Sequence, residues 1–445
     1  MKSSVLIALV AFVLVSCDAS DRKDELLRQQ SAVCKDLITF YQHELESCAN
    51  DMQNPSCRVI NQKRDFCQAA YGDKYLTANT DILVALAYEQ SYFAGLPEMH
   101  HMIDGIYFAR DVINATGGIS GRQIRLEEFV QKEPLPYLKY FDIFHESFSE
   151  QISENVDSIA VIGHYASIQA AKAVITYEHQ GMVYIAPWSG HSGLTRHGFL
   201  NVFSTMPNNE FQVKSTVEHL VRHNLNRIAI FYDISNSGYQ ELEFNLVNEG
   251  IKAGLRFVLT KSFRPGQTGY RDVVVNLLGK DVDAVVIYGN PDEAMLLVKS
   301  LFEFGIRKPL ISSKNMAEAA KYLSKALGES DINLVFPGLE WSRQGGGPST
   351  QQLREYKSMR GTELHHFKNV YGYEPDFLAA RGFDNLMLLV SAIETKKSTV
   401  PSVIAATLRY MLEPWQGETG EYKFDMNGKL ISQQYKMQSA VSESK

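Results

Sequence analysis

Several features that would indicate other classes of protein are scarce in this 445-residue chain. Its five cysteines all lie at or before residue 67, so cysteine chemistry is confined to the N-terminal segment. Lysine and arginine do not cluster, and 44 of them against 51 acidic residues give a net charge of -7; the sequence thus offers no basic surface for nucleic acid. After the first residues, no apolar run of about 18 residues occurs, and no membrane-spanning helix is predicted there.

Motifs that would indicate an enzyme are equally scarce. The glycines of residues 117–121 follow a predicted helix and precede a strand, which is the reverse of a dinucleotide-binding loop. Residues 189–193 lack the Gly-x-Ser-x-Gly spacing of a nucleophile elbow. No His-Glu-x-x-His segment occurs, and residues 425–428 leave no room for a complete calcium loop. We therefore predict no catalytic residues, no metal site and no cofactor.

The first residues are typical of an export signal. Lys2 precedes an apolar run over residues 5–15, which is too short to span a membrane but fits a signal peptide. The segment Leu-Val-Ser-Cys at residues 14–17 resembles the lipobox of bacterial lipoproteins, in which the cysteine becomes lipidated. We expect a signal peptide over residues 1–17 and a lipid anchor at Cys17. The protein would then lie in the periplasm on the inner membrane, or on the outer face of the cell membrane; a plain secretory signal is the alternative.

Four further cysteines lie close together at Cys34, Cys48, Cys57 and Cys67. An even number in an exported chain predicts disulfides, for which three pairings exist. Helical spacing on either side of a turn at residues 50–55 predicts an α-helical hairpin within residues 18–80. A hairpin favours Cys34 with Cys67 and Cys48 with Cys57, although the two arms between the cysteines differ in length by roughly 6 Å of helix.

From residue 81 onward, strand and helix patterns alternate. One series covers residues 81–186 and another covers residues 211–312. Such alternation predicts two α/β lobes with parallel sheets, whose ligands lie at the carboxyl ends of the strands. Beyond these, the pattern predicts long helices over residues 353–371 and 375–396 and a hairpin at residues 425–428.

Four segments of this region carry a family resemblance. They are the helix and glycine turn of residues 105–122, Ile-Gly-His-Tyr-Ala-Ser at 162–167, Ile-Ala-Pro-Trp-Ser-Gly at 185–190 with its continuation to 195, and residues 417–428. In order and spacing they resemble the type I periplasmic binding proteins, the group that includes the branched-chain amino-acid receptors. The resemblance covers about residues 82–445. It implies two Rossmann-like lobes that are joined by three crossovers at a hinge and close on a ligand, in a monomer.

The resemblance also implies lobe boundaries. Lobe 1 would comprise residues 81–205 and 338–410, and lobe 2 would comprise residues 206–337 and 411–445. The three crossovers would fall near residues 204–208, 334–340 and 409–414.

In lobe 1, two loops would meet the ligand. Ser167 opens a helix whose free N–H groups and dipole favour an anion, and it lies where the family places a serine that binds the ligand's carboxylate; an ordinary N-cap is the alternative. Tyr165 belongs to the same loop. In the next loop the family presents small residues, here Trp188, Ser189 and Gly190. Trp188 departs from that pattern, and its ring would either stack on the ligand or pack against its own lobe.

In lobe 2, the resemblance implies contacts from Ser237 and Tyr239, although the family's usual tyrosine position holds Ser237. Lys314 or Asn315 falls where amino-acid receptors often carry an acidic residue for the ammonium group. A cation there would favour an anionic ligand. A misplaced gap of one or two residues is the alternative.

These expectations together predict a lipid-anchored solute-binding protein, not an enzyme. It would capture a small carboxylate-bearing, amino-acid-like or aromatic or aliphatic metabolite and deliver it to the membrane permease of an ABC transporter. The alternative is a receptor subunit that docks on a membrane sensor kinase or cyclase. A transcription regulator on the same core would need an N-terminal DNA-reading helix pair, and this chain has an export signal there instead.

Overall fold

The computed structural model describes residues 23, 25–76, 81–90, 99–131, 149–154, 157–316, 332–341, 355–357 and 364–439. The expected signal peptide and the lipid anchor at Cys17 lie outside these residues. Within the described part of the chain, no helix has the length and apolar character needed to cross a membrane.

The N-terminal extension is helical and carries two disulfides. Its helices cover residues 25–40, Gln42–Ser47 and Pro55–Tyr71, followed by a 3-10 helix over Gly72–Leu76. Asn54 caps the third helix by accepting a hydrogen bond from the backbone N–H of Ser56, as such residues do at helix starts. Disulfides join Cys34 to Cys67 and Cys48 to Cys57, which confirms the nested pairing.

Lobe 1 is built on a five-stranded parallel sheet of order β2-β1-β3-β4-β5. Its strands are Ile82–Glu89 (β1), Ile124–Gln131 (β2), Ser158–Gly163 (β3), Val183–Ala186 (β4) and Val202–Ser204 (β5). The helices His100–Ala115, Phe377–Lys396 and Pro401–Arg409 cover one face, and Ser167–His179 covers the other. Both faces are covered, so every residue of β1 and β3 is buried, as is usual for parallel sheets.

Two glycines bring the main helices of lobe 1 into close contact. A Cβ atom added at Gly105 would lie 1.9 Å from the carbonyl oxygen of Ala379, and one added at Gly382 would lie 1.9 Å from that of Met102. The two backbones touch where side chains would normally separate them. Any larger residue at either position would push the helices apart.

Lobe 2 is built on a six-stranded sheet of order β15-β10-β9-β8-β6-β7. Its strands are Arg227–Asp233 (β6), Arg256–Phe263 (β7), Ala284–Tyr288 (β8), Leu310–Ser312 (β9), Leu334–Gly338 (β10) and Lys436–Ser439 (β15). Only the pairing of β15 with β10 is antiparallel in this sheet. The helices Asn209–Arg222 and Ser237–Lys252 cover one face, and Arg271–Val274 and Pro291–Glu303 cover the other. The predicted pair of α/β lobes is confirmed.

One predicted helix is wrong. Within residues 353–371, the structure describes Glu355–Lys357 (β11) and Leu364–His366 (β12), which form an antiparallel pair, and the helix Phe367–Tyr371. Gly361 lies in this stretch, and a glycine inside a helix costs about 1 kcal/mol relative to alanine. The apolar spacing that suggested a helix therefore lacked the propensity to form one.

The expected boundary between the lobes near residue 411 is also wrong. The hairpin of Trp415–Gly417 (β13) and Gly420–Tyr422 (β14) packs on the helix Phe377–Lys396, and Tyr422, Phe424, Leu430 and Tyr435 join the core of lobe 1. Buried polar contacts hold this segment, since Asp384 accepts hydrogen bonds from the backbone N–H of Glu418 at 2.7 Å and of Thr419 at 2.8 Å. The third crossing therefore lies next to β15, not at residues 409–414.

The extension is attached to lobe 1 at the amino ends of the strands. Arg28 donates hydrogen bonds to the carbonyl oxygens of Gln180 at 2.7 Å and Ser153 at 3.0 Å. Asp36 accepts from the backbone N–H of Thr399 at 3.0 Å and lies 3.4 Å from the guanidinium of Arg122. Gln180, Ser153 and Arg122 each precede a strand, so the extension docks on the edge of lobe 1 opposite the carboxyl ends of its strands.

Candidate functional site

Side chains of both lobes meet at the carboxyl ends of their strands. They line a narrow cavity between the lobes, partly open to solvent, of ≈ 20 Å³, which is room for about one water molecule. Lobe 1 contributes Ser167, Trp188 and Gly190, and lobe 2 contributes Asn209, Gln212, Asn236, Gly238, Tyr239, Leu242, Ser313, Lys314 and Asn315. A metabolite larger than water therefore enters only when the lobes separate.

The first wall of the cavity is the start of the helix Ser167–His179. Strand β3 ends at Gly163, whose φ of 145° suits glycine, and an added Cβ there would lie 1.9 Å from the carbonyl oxygen of Ala87. After a short loop, Ser167 begins the helix with its hydroxyl 3.3 Å from that of Ser189. Ser189 is buried directly beside Ser167 and does not line the cavity itself. The exposed N–H groups and the dipole of this helix point positive charge into the cleft.

A buried carboxylate braces the loop that leads to Ser167. Glu89, at the end of β1, accepts hydrogen bonds from the backbone N–H groups of Tyr165 and Ala166, both at 3.1 Å, and its other oxygen lies 2.8 Å from Nδ1 of His164. The other ring nitrogen of His164 lies 2.9 Å from the hydroxyl of Tyr177. These contacts fix the loop before the helix begins.

Tyr165 does not reach the cavity, which corrects the expectation of a ligand contact. Its side chain is fully buried in the apolar core of lobe 1. Burial also raises the pKa of the Tyr165 hydroxyl well above its usual range, with the charge of Glu89 adding to the shift. The loop turns this ring back toward the sheet, because its backbone N–H is held by Glu89.

Two consecutive residues of lobe 2 contact Trp188 of lobe 1. The ammonium group of Lys314 donates a hydrogen bond to the carbonyl oxygen of Trp188 and lies 4.1 Å from the centre of its ring. Oδ1 of Asn315 accepts a hydrogen bond from Nε1 of Trp188 at 3.2 Å. We call these contacts of Lys314 and Asn315 with Trp188 the Trp188 latch. It connects the two lobes directly across the cavity.

Lys314 is a buried amine that lines the cavity. Burial lowers its pKa well below the usual range, with the charge of Arg381 adding to the shift, so the empty cavity favours the neutral amine and an anion beside it would favour the charged form. None of the residues that line the cavity is an aspartate or a glutamate. The positive ends of two helices make the cavity electropositive.

The second helix start belongs to Ser237–Lys252. Asn236 caps it by accepting a hydrogen bond from the N–H of Gly238 at 2.9 Å. A Cβ added at Gly238 would lie 3.2 Å from the hydroxyl oxygen of Ser167, so this glycine allows the two helix starts to face each other closely. Gly238 and Tyr239 line the cavity, but Ser237 does not, and its buried hydroxyl has no hydrogen-bond partner.

Two amides of the crossover helix line the cavity and were missed by the sequence analysis. Gln212 accepts from the backbone N–H of Lys314 at 3.1 Å and donates to Oδ1 of Asn209 at 2.9 Å. Asn209 donates to the carboxylate of Glu241 at 2.8 Å, and its backbone N–H donates to the carbonyl oxygen of Gly190 at 2.8 Å. The only signal in the sequence is the pair of asparagines that starts this helix immediately after the first crossing.

Metal ligands do not gather in the described residues: their His, Cys, Asp and Glu side chains form no group of three or more that could hold an ion. The two adjacent histidine side chains that the structure places, those of His100 and His101, belong to the helix His100–Ala115, where His101 lies 2.6 Å from Asp376.

Comparison with known proteins places this architecture in a family. The family model of periplasmic binding proteins matches residues 146–445. The chain belongs to the periplasmic binding protein family. Its lobes and their sheets are those of the type I branch, so the resemblance drawn from the four sequence segments is confirmed. Membership implies solute binding outside the cytoplasm.

Individual members of the family agree with this assignment. An amino acid binding protein of Pseudomonas aeruginosa is 24% identical over 329 residues, which is 74% of this chain and 82% of that protein. A substrate-binding protein of Desulfitobacterium hafniense in complex with Leu has a TM-score of 0.63 at 22% identity, covering 81% of this chain and 98% of the other. A solute-binding protein of R. palustris in complex with benzoate has a TM-score of 0.64 at 16% identity, covering 81% and 94%. The two structures share the fold of this binding protein.

Proposed function

We propose that this binding protein is held outside the cytoplasm by a lipid on Cys17 and captures a small carboxylate-bearing metabolite between its lobes. It delivers that ligand to the membrane permease of an ABC transporter. The observation that carries the proposal is the electropositive cavity between the two lobes, in which two helix starts and Lys314 converge with no acidic residue among the lining groups.

The two ends of the ligand meet different parts of the cavity. The hydroxyl of Ser167 and the helix start behind it suit a carboxylate, because a helix N-terminus supplies unpaired N–H groups and a positive dipole. The ring of Trp188 and the side chain of Leu242 offer apolar surface for the rest of the molecule. Leucine and benzoate, named as ligands of two fold relatives, each join a carboxylate to an apolar body. An amino-acid-like, aromatic or aliphatic acid fits both walls.

Closure of the lobes couples binding to delivery. The ligand would contact both lobes at once, so its affinity for the closed form exceeds its affinity for the open form, and the closed population rises with ligand concentration. A permease that recognises the closed form would then bind the ligand-loaded protein in preference to the empty one. The protein acts as a monomer in this scheme and leaves its ligand chemically unchanged.

The test begins with a thermal-shift screen of the purified protein against small acids and amino acids. A ligand at 100 times its dissociation constant adds about 2.7 kcal/mol to the free energy of unfolding. Calorimetry on the hit then compares Ser167→Ala with the unchanged protein. A hydrogen bond to a charged group contributes about 1.5–3 kcal/mol, so the dissociation constant should rise by roughly 10- to 150-fold.

The matched control is Ser391→Ala. The hydroxyl of Ser391 donates only to the carbonyl oxygen of Leu388 in its own helix, at 2.7 Å, so its loss should leave affinity unchanged. Trp188→Ala should weaken binding as Ser167→Ala does. If both variants bind as well as the unchanged protein, the ligand does not lie in this cavity.

A further inference from the structure

We infer that Lys314 makes the site selective for acids over amino acids: the ligand is a carboxylate that carries no α-ammonium group. This inference rests on the proposed function and narrows its ligand class. It follows from the hydrogen-bond donors and acceptors of the cavity that remain for a ligand.

The side-chain amide oxygens of the cavity already accept hydrogen bonds from the protein. Oδ1 of Asn236 accepts from the N–H of Gly238 at 2.9 Å, and Oε1 of Gln212 accepts from the N–H of Lys314 at 3.1 Å. The side-chain oxygens of Asn209 and Asn315 accept from Gln212 and Trp188, at 2.9 and 3.2 Å. An ammonium group needs acceptors, preferably a carboxylate, when it is removed from water. The lining residues provide neither an acidic group nor an amide oxygen without a donor.

A carboxylate beside the cavity wall is also engaged. Glu241 lies behind the cavity wall and receives the backbone N–H of Ser192 at 3.2 Å, the hydroxyl of Ser192 and the side-chain amide of Asn209 at 2.8 Å. Its carboxylate thus joins the two lobes to each other. A ligand ammonium would have to displace these donors before it could use Glu241.

The donors of the cavity, in contrast, are available. The hydroxyl of Ser313 is buried, 1% exposed, and has no hydrogen-bond partner. Nζ of Lys314 donates to one carbonyl oxygen, that of Trp188, and the amine has at least one further N–H to offer. On the opposite wall, the hydroxyl of Ser167 is a third donor. A carboxylate accepts several hydrogen bonds and would meet all of these groups.

Buried charges near the cavity act in the same direction. Arg381 is fully buried behind Lys314, where it donates to the hydroxyls of Tyr422 at 2.7 Å and Thr419 at 2.9 Å. The nearby carboxylate of Asp384 is occupied by Thr419 and Glu418 of the C-terminal hairpin. Arg381 does not line the cavity, but its charge acts on Lys314, and a bound anion would oppose that repulsion and favour the charged form of Lys314.

The Trp188 latch provides the position for the anion. In the closed cavity Lys314 is paired with a neutral carbonyl oxygen, and a charged carboxylate is a stronger partner for an ammonium group. A carboxylate that enters beside Ser313 would replace or share the Trp188 carbonyl while the ring of Trp188 covers its apolar part. An α-ammonium on the same molecule would then lie beside Lys314 and oppose its protonation.

The experiment is calorimetric titration of the purified protein with matched pairs of probes. The pairs are 4-methyl-2-oxopentanoate with leucine and phenylpyruvate with phenylalanine, and benzoate is added as an acid without an amino counterpart. We expect at least one acid to bind at least about tenfold more tightly than its amino-acid partner. In Lys314→Met, the affinity for that acid should fall at least about tenfold, and circular dichroism should report an intact fold.

A second variant guards against a folding artefact. Ser313→Ala removes one donor without touching a buried charge, and it should weaken binding of the acid. An amino acid that binds as tightly as its acid, or an acid whose affinity is unchanged in Lys314→Met, overturns the inference but leaves solute binding intact. If amino acids bind and acids do not, the inference is wrong. If none of the probes binds, both the inference and the proposed ligand class are wrong.

Discussion

Removal of either disulfide should loosen the N-terminal extension and leave the ligand site untouched. The perturbation is Cys34→Ala with Cys67→Ala, compared with Cys48→Ala with Cys57→Ala. Both bridges lie within the extension, which docks on the edge of lobe 1 away from the cavity. The effect should therefore be local opening of residues 25–76.

The expected magnitude follows from the lengths of the closed loops. In the chain-entropy description, a separation of 33 residues for Cys34–Cys67 corresponds to about 3.7 kcal/mol, and a separation of 9 residues for Cys48–Cys57 to about 2.6 kcal/mol. At typical stability per residue, a unit of this size has about 3–8 kcal/mol in total. Loss of the longer bridge should leave the extension with about 4 kcal/mol or less.

Limited trypsin digestion measures this opening. When cleavage is slow relative to closing, its rate follows the population of the open form. The rate should rise by about 500-fold without Cys34–Cys67 and by about 80-fold without Cys48–Cys57. Calorimetry on the same variants should give unchanged ligand affinity. Equal or reversed cleavage rates, or a loss of affinity, would refute the local origin of the effect.

Three further changes test the packing and the charges. Gly105→Ala should lower the free energy of unfolding of lobe 1 by about 1–3 kcal/mol, because the added methyl group meets a backbone carbonyl. Gly269→Ala is the control and should be neutral, since an added Cβ there has no atom within 4 Å. Thermal unfolding compares the two variants. Asp36→Ala removes the buried carboxylate that accepts hydrogen bonds from Ser398 and Thr399 and lies beside Arg122, which keeps the charge of Asp81 nearby, so chemical denaturation should show a loss of about 1–3 kcal/mol. Glu210 joins the lobes: its partial burial opposes ionisation, but hydrogen bonds from two cations and an amide outweigh this and hold its pKa at about 2. Because this folded pKa lies below the ordinary value, its stabilisation is complete above about pH 5 and is lost as the pH falls toward 2; Glu210→Gln should remove that part of the acid sensitivity in a pH series of thermal unfolding.

The positions of several cavity residues could be predicted because parallel sheets bring the carboxyl ends of their strands together. Ser167, Trp188 and Gly190 follow β3 and β4, and Lys314 follows β9, so a strand pattern is enough to place them near one another. Tyr165 shows the limit of this rule. It lies in the same loop as Ser167, but its backbone N–H donates a hydrogen bond to the carboxylate of Glu89, which is distant in sequence, and this contact turns the loop.

Other features depend on contacts that no local pattern reveals. Asn209 and Gln212 enter the cavity because the first crossing sends their helix across the cleft. The C-terminal hairpin stays with lobe 1 because Asp384 and Arg381 bind its backbone and hydroxyl groups inside the core. Both are long-range polar contacts, and apolar periodicity contains no information about them. The nested disulfides, in contrast, followed from the helical hairpin itself.

Closure of the lobes on a ligand is tested most directly by a distance across the cleft. Ile175 and Phe244 are each 64% exposed and lie on the two helices that start at opposite walls of the cavity. Spin labels on Ile175→Cys and Phe244→Cys would report the separation of the lobes by pulsed electron resonance, with the acid that calorimetry identifies. We predict that a saturating concentration of the acid shifts the distances between the labels to a single shorter population. The acid should be recovered chemically unchanged. A distance distribution that stays the same with the acid bound would contradict the account.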